Sequence, residues 1–377
     1  MSGPFTYYEF FAGGGMARAG LGAGWRCLFA NDFDPVKTAA YRDNWGGDHL
    51  ALGDVHALSA ADLPGRADLA WASSPCQDFS LAGLRKGLAG TRSSAFWGFW
   101  RLMQGLNAEG RGPRIIVIEN VAGLATSHGG RDFTALCQAL ADAGYRFGAL
   151  EVDAAAFLPQ SRPRLFVIAT RDAVSPDLLL PAVEAVHGKK VGEAYARLPD
   201  PLQARWLPWR PLRADRRNTT VADLLEDPAA VRWHAPMLTE RLLSQLSPLQ
   251  RHRLALERAA GVPRIGMAFR RTRIEQGARV QRAEVRFDGI AGCLRTPGGG
   301  SSRQFVVEVC GAGTRSRPLS AREGARLMGL ADSYRLPAAE TAALKVIGDG
   351  VAVPVVRALA EQLLDRLLPA SSLAAAE

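Results

Sequence analysis

The strongest constraint in this chain is a rhythm. From Phe5 to about Ala169, short apolar runs (FTYYEFF, CLFA, DLAWAS, IIVIEN and LFVIAT) alternate with stretches of helical spacing. Strands buried on both faces read as continuous apolar runs, and strands alternating with helices build βαβ units, so a doubly wound parallel α/β sheet is expected. After Thr170 the rhythm stops. Nine prolines from Pro176 to Pro248 punctuate a segment of weak periodicity, which predicts a second domain from residue 173. No apolar run reaches about 18 residues, and Met1–Phe11 shows no basic region followed by a cleavage site. Neither a membrane span nor a secretory signal is read, and a cytoplasmic location is expected. The five cysteines contain no C-x-x-C pair, which argues against a disulfide framework, a structural zinc site or any other metal; cysteine chemistry would rest on one thiol.

The first apolar run ends in Phe11-Ala-Gly13-Gly14-Gly15, where a strand must turn sharply into a helix. Glycines there permit positive φ and let a ligand approach the backbone, although a tight turn alone would also use them. The second run ends in Asn31-Asp32-Phe33-Asp34, an acid about 20 residues further on that can accept ribose hydroxyls. A third acidic tip, Gly53-Asp54-Val55, can receive an adenine amino group. The glycines do not form the G-x-G-x-x-G fingerprint, so a ligand with one adenosine and no pyrophosphate fits better than a dinucleotide.

At the same carboxyl edge, DLAWAS runs into Ser74-Pro75-Cys76-Gln77-Asp78, and IIVIEN ends in Glu119-Asn120. A lone cysteine is usually a small buried apolar residue, and Glu119 could merely neighbour a helix N-cap. From adjacent strand tips, however, a thiolate nucleophile and a carboxyl proton donor can converge on one small planar substrate. Charge adds a further sign. Between Arg205 and Arg286 stand 17 arginines, no lysine and eight acids, so this segment carries the whole net charge of +9, with Trp206, Trp209, Trp233, Phe269 and Phe287 interleaved. Guanidinium groups suit a polyanion; a solvated arginine-rich surface is the plainer alternative.

Six blocks in order make the chain resemble the DNA (cytosine-5) methyltransferase family, bacterial type, over nearly its whole length. They are FAGGG at 11–15, Pro75-Cys76-Gln77, Glu119-Asn120-Val121, Gln160-Ser-Arg162-Pro-Arg164, Arg322-Glu-Gly-Ala-Arg326-Leu-Met-Gly329 and Gly348-Asp-Gly-Val351-Ala-Val-Pro354. The resemblance implies a doubly wound S-adenosylmethionine-dependent domain from residues 1–172 and 345–377, with a smaller target-recognition domain at 173–344. It implies S-adenosylmethionine against Phe11, Gly13, Gly14, Gly15, Asp32, Phe33, Asp54, Val55, Pro75, Asp349 and Val351. Cys76 would add to cytosine C6, with Glu119 on N3 and the exocyclic amine, Arg164 on O2 and Arg162 beside the thiol. Double-stranded DNA would meet Gln77, Ser80, Arg92, Arg270, Arg271, Arg273, Arg279, Leu294 and Thr296, with the 77–94 loop closing over a flipped base. The enzyme is expected to act as a monomer within a restriction-modification system. A methyltransferase of tRNA cytosine and a DNA-binding regulator with a vestigial site are the rival readings.

Three residues depart from the family pattern: Glu9 stands where Asp is usual, Asp349 where Asn is common, and Cys293-Leu294 where Thr-Leu is frequent, leaving Thr296 as a substitute phosphate contact. Arg322, Glu323 and Arg326 read as a domain-joining salt-bridge network. No G-x-S-x-G elbow supports a hydrolase, and His56 and His128 sit in no recognisable motif.

Overall fold

The computed structural model describes residues 4–75, 95–182, 187–296, 303–311 and 313–368, and the chain divides into two compact units. The first comprises residues 1–153, 163–213 and 355–377; the second comprises 154–162 and 214–354. The boundaries expected at 172 and 345 fall inside these units, since 173–213 pack with the first and 345–354 with the second.

The first unit is built on β1 (Phe5–Phe10), α1 (Met16–Leu21), β2 (Trp25–Asp32), α2 (Pro35–Trp45), β3 (Leu50–Leu52), β4 (Leu69–Ala72), α3 (Ala95–Ala108), β5 (Ile115–Val121), α4 (Arg131–Asp142), β6 (Arg146–Asp153) and β7 (Pro163–Thr170), followed by α5 (Lys189–Ala196) and α6 (Asp200–Gln203). The seven strands lie in the order β3-β2-β1-β4-β5-β7-β6. The central runs are apolar because helices cover both faces, leaving Leu69 to Ala72 and Ile115 to Ile118 with no exposed surface. Phe96, Phe99 and Met103 of α3, with Phe133, Leu136 and Leu140 of α4, fill one side; Tyr41 of α2 packs with Ala12 and Ala30.

The sheet is not all parallel as the rhythm suggested. β7, the LFVIAT run, is antiparallel to both β5 and β6. Only nine residues, 154–162, join β6 to β7. A parallel neighbour needs a crossover of a dozen residues or more, so the chain must reverse. The reversal has a consequence for the site: it brings the start of β7, rather than its end, to the carboxyl tip of β5, with Arg164 directly opposite Val121.

In the second unit α7 (Pro236–Ser244) and α8 (Pro248–Ala259) cover one face of an antiparallel sheet of order β11-β10-β8-β9, formed by β8 (Arg264–Glu275), β9 (Ala278–Arg286), β10 (Gln304–Cys310) and β11 (Gly313–Pro318). Leu242, Leu246 and Leu254 from the helices meet Ala268, Ala283, Val285, Phe305 and Val307 from the strands. Next come α9 (Ala321–Leu327), opened by a reciprocal cap between Ser320 and Glu323, and α10 (Glu340–Asp349). Residues 355–368 then return to the first unit, where Asp365 accepts a hydrogen bond from the Trp25 indole at 2.8 Å and Arg357 donates to the Gly20 carbonyl at 2.7 Å. No described helix is long and apolar enough to cross a membrane.

Candidate active site

Five parallel strands of the first unit end at one edge, and short hydrogen bonds join their tips. The turn after β1 is strained: Phe11 and Gly13 are both left-handed, with φ of 57° and 56°, and Gly15 follows at 78°. A side chain at Gly15 would collide with the Trp45 indole, whose Nε1 donates to the Gly14 carbonyl at 3.1 Å, whereas at Gly13 a Cβ would meet nothing within 4 Å. The loop is thus tight on its helix side and open on the other, as close approach of a ligand to the backbone requires.

At the next tip Asp32 is buried, and burial raises its carboxyl above the ordinary range. One of its oxygens accepts from the Gly13 amide and the other from the Asp34 amide, both at 2.9 Å. A carboxylate has about four acceptor sites, so Asp32 keeps capacity for two hydroxyls. Phe33 beside it is 65% exposed, an unusual state for a phenyl ring and a suitable face for a planar base. Asp34 caps α2 by accepting from the Val36 amide, and Asn31 ties β2 to β3 by donating to Ala51 and Gly53, both at 3.0 Å. Asp54 is exposed, while Val55 is buried in the core. Open glycine backbone, an acid with free lone pairs and an exposed ring together fit the adenosine portion of S-adenosylmethionine.

Toward β5, Glu119 is buried and lies 3.1 Å from Nε of Arg164, the pairing that the reversed β7 makes possible. Asn120, to which the sequence reading gave no role, donates to the carbonyl of Ser74 at 2.9 Å and to its hydroxyl at 3.3 Å. It thereby latches β5 to the loop that leads through Pro75 to Cys76. Cys76, Gln77, Ser80 and Arg92, together with the rest of the 77–94 loop, lie outside the described residues. Ser127, His128 and Asp132 cluster nearby in sequence, but both partners contact the same Nδ1 of His128, so they form no hydrolase relay.

The remaining expected residues belong to the second unit. Arg162 is 1% exposed and donates to the carbonyls of Leu294 (2.6 Å), Gly348 (2.9 Å) and Gly350 (2.6 Å). Gln160, fully buried, donates to Leu327 and accepts from the Leu294 amide, so the Gln-x-Arg block pins the segment 293–296. One family departure is engaged here, because the Thr296 hydroxyl donates to the Asp349 carboxylate. Asp349 ends α10. A side chain at Gly348 would strike the backbone of Arg295 and Thr296, so this approach requires glycine. Val351 is buried. Arg270, Arg271, Arg273 and Arg279 stand on the β8–β9 hairpin. The Arg322–Arg326 motif differs from the expected network: Glu323 pairs with Arg317, Arg326 with Asp332, and Arg322 donates to the Tyr334 carbonyl, all within this unit. No group of three or more metal-ligating side chains occurs among the described residues.

Residues 5–365 match the family described as C-5 cytosine-specific DNA methylase. The chain is 27% identical over 365 residues to the Type II methyltransferase M.NlaX of Neisseria lactamica, covering 95% of this chain and 96% of that one. It is 26% identical over 381 residues to the Type II methyltransferase M.HpaII of Haemophilus parainfluenzae, covering 96% and 90%. Among solved structures, the S. pombe Dnmt2 methyltransferase superposes with a TM-score of 0.61 at 18% identity over 96% of this chain and 99% of that one, a likeness of fold.

Proposed function

Because the chain belongs to the C-5 cytosine-specific DNA methylase family of S-adenosylmethionine-dependent enzymes, we propose that it methylates a flipped-out cytosine in one particular duplex sequence through a covalent adduct on Cys76, as the modification enzyme of a Type II restriction-modification system. The observation that carries this reading is the Glu119–Arg164 pair at 3.1 Å, beside a strand tip that Asn120 fastens two residues before Cys76.

Cytosine C5 is a weak nucleophile, and it is hidden within a stacked duplex, so the base must first leave the helix. The Cys76 thiolate then bonds to C6 and breaks the aromaticity of the ring. Glu119 holds N3 and the exocyclic amine, where negative charge develops, and Arg164 fixes O2. S-Adenosylmethionine, when bound, supplies the electrophilic methyl group that C5 takes up. Asp32 and Asp54 would hold its ribose and adenine, with Phe33 offering an apolar face to the base. A water-relayed base removes the C5 proton, the C–H electrons restore the C5–C6 double bond, and Cys76 departs as thiolate. Arg162 acts through the backbone it grips.

The test uses duplexes carrying 5-fluorocytosine at the target, since fluorine cannot leave as a proton does. Wild-type enzyme with S-adenosylmethionine is expected to give a denaturation-resistant complex. Cys76→Ala should form none and should lose methyl transfer while still binding DNA. Turnover by Cys76→Ala would overturn the nucleophile assignment, and methylation of RNA in place of DNA would overturn the substrate.

A further inference from the structure

The glycine turn that precedes α1 stands on two aromatic rings of α2. A Cβ at Gly15 would lie 3.1 Å from the Tyr41 ring and would collide with the Trp45 indole, whose nitrogen also donates to the Gly14 carbonyl at 3.1 Å. The Arg18 guanidinium of α1 lies over both rings, 5.8 Å from the centroid of Tyr41 and 5.3 Å from that of Trp45. Beneath the turn the Tyr41 hydroxyl joins three groups. It accepts from Arg18 Nη1 at 3.1 Å, meets Nε2 of His49 at 3.2 Å and donates to Oε2 of Glu9 at 3.5 Å.

Glu9 closes this chain from β1, almost wholly buried. A carboxylate taken out of water gathers short, charge-assisted hydrogen bonds of about 2.5–2.7 Å from hydroxyls. Glu9 instead has one long bond from a hydroxyl and an oxygen with no partner. That is the geometry of a neutral carboxyl, and burial, which pushes the group up to about 8, agrees with it. An ionised Glu9 would draw the Tyr41 hydroxyl and the Arg18 guanidinium toward itself. Both belong to the floor of the turn, so the charge of Glu9 and the shape of the turn are coupled.

We propose that neutral Glu9 is a positioning residue for the cofactor turn, and that its ionisation at alkaline pH weakens the binding of S-adenosylmethionine and of its product S-adenosylhomocysteine. The inference rests on the reading above that sets the cofactor against Gly13, Gly14 and Gly15. Linkage then runs both ways: the bound ligand keeps the proton on Glu9, and loss of that proton loosens the ligand. The other groups facing Glu9 leave it the alkaline range. Burial raises Tyr7 and Tyr41 and pushes the Cys27 thiol up to about 12, while burial and Arg18 lower His49. Arg18 keeps its charge throughout. Asp32, raised by burial against the pull of the Asp34 and Gly13 amides, is a second carboxyl of the same region and must be separated by mutation.

Calorimetric titration of S-adenosylhomocysteine into the full-length enzyme, from about pH 6.5 to about pH 9.5, reads the effect. Wild type is expected to bind at least about fivefold more weakly at the upper end. Glu9→Gln, which cannot ionise, is expected to lose most of this dependence; what remains belongs to Asp32 and to the amino group of the ligand. Tyr41→Phe keeps the ring under Gly15 and removes the hydroxyl that joins it to Glu9, so it should flatten the profile too. Circular dichroism at each pH identifies any loss of fold, and Tyr41→Phe decides the matter where Glu9→Gln does not fold. A flat wild-type profile, or a wild-type slope retained in the folded variants, would overturn the role of Glu9. A wild-type enzyme that binds S-adenosylhomocysteine with this slope but tolerates a bulky residue at Gly13 would instead overturn the placing of the cofactor on the turn.

Discussion

Glu9 shows how burial changes a carboxyl's chemistry. It stands on β1 with 1% exposure, and Oε2 accepts a long hydrogen bond from the Tyr41 hydroxyl at 3.5 Å, while Oε1 has no partner. Burial pushes its carboxyl up to about 8, against the pull of the nearby Arg18. The folded value lies above the ordinary one of 4.5, so the contribution of Glu9 to stability is fully present below about pH 4.5 and is lost as pH rises through about 8. Glu9→Gln, which cannot ionise, is expected to leave the thermal midpoint near wild type at pH 5 and to raise it at pH 8.5. The full difference is at most about 5 kcal/mol. Melting curves across this range check the sign, and equal shifts at both ends would mean that Glu9 keeps its charge in the folded chain.

Within elements, the buried ion pair of the second unit carries the largest single liability. Arg317 and Glu323 are 2% and 0% exposed and bond twice, at 2.8 and 2.6 Å. Burial raises the Glu323 carboxyl, but Arg317 and the amides of Ser320 and Glu226 outweigh it, so the group stays below the ordinary carboxylate range. Removing the charge strands a buried guanidinium. Glu323→Gln is expected to cost about 3–5 kcal/mol in urea denaturation, more than exchanging both partners for apolar residues of similar volume. Little of this pair was legible beforehand. Spacing alone suggested helical neighbours for Glu323, whereas its partner sits on β11, and a strand-to-helix contact has no local signature. The strand tips were legible because each combines an apolar run with a polar stop, as at Asp32 and Glu119. The reversal of β7 was legible only through loop length, since LFVIAT reads the same in either direction of pairing. The arginine block showed its charge but not its shape: alternation along 270–281 is largely polar on both faces, so no apolar stripe announced the β8–β9 hairpin.

For the whole molecule, net charge and usable charge differ. Seventeen phosphate contacts from Arg205–Arg286 would give a slope of log affinity against log salt of about −15. Arg264, Arg271, Arg273, Arg282 and Arg286 are held by Glu257, Glu284, Glu275 and Asp288. Arg210, Arg217 and Arg258 donate to Asp177, Ala155 and Thr314. Arg270 lies over the Phe305 ring at 5.0 Å, and the other eight set an expected slope of about −7, measurable by fluorescence anisotropy between about 50 and 300 mM salt. A slope near −15 would mean that the internal pairs open on binding.

The return of residues 355–368 also places a clock in biosynthesis. Trp25 and Gly20 leave the ribosome early, yet their partners Asp365 and Arg357 emerge only after the 141 residues of 214–354 have been made. At roughly 5–20 residues per second that interval lasts about 7–28 s. Throughout it the nascent first unit lacks its closing helix, and the surface that Leu359, Leu363, Leu364 and Leu367 will later bury lies uncovered. Translation speed across the second unit therefore sets how long each new molecule is exposed to chaperones and proteases.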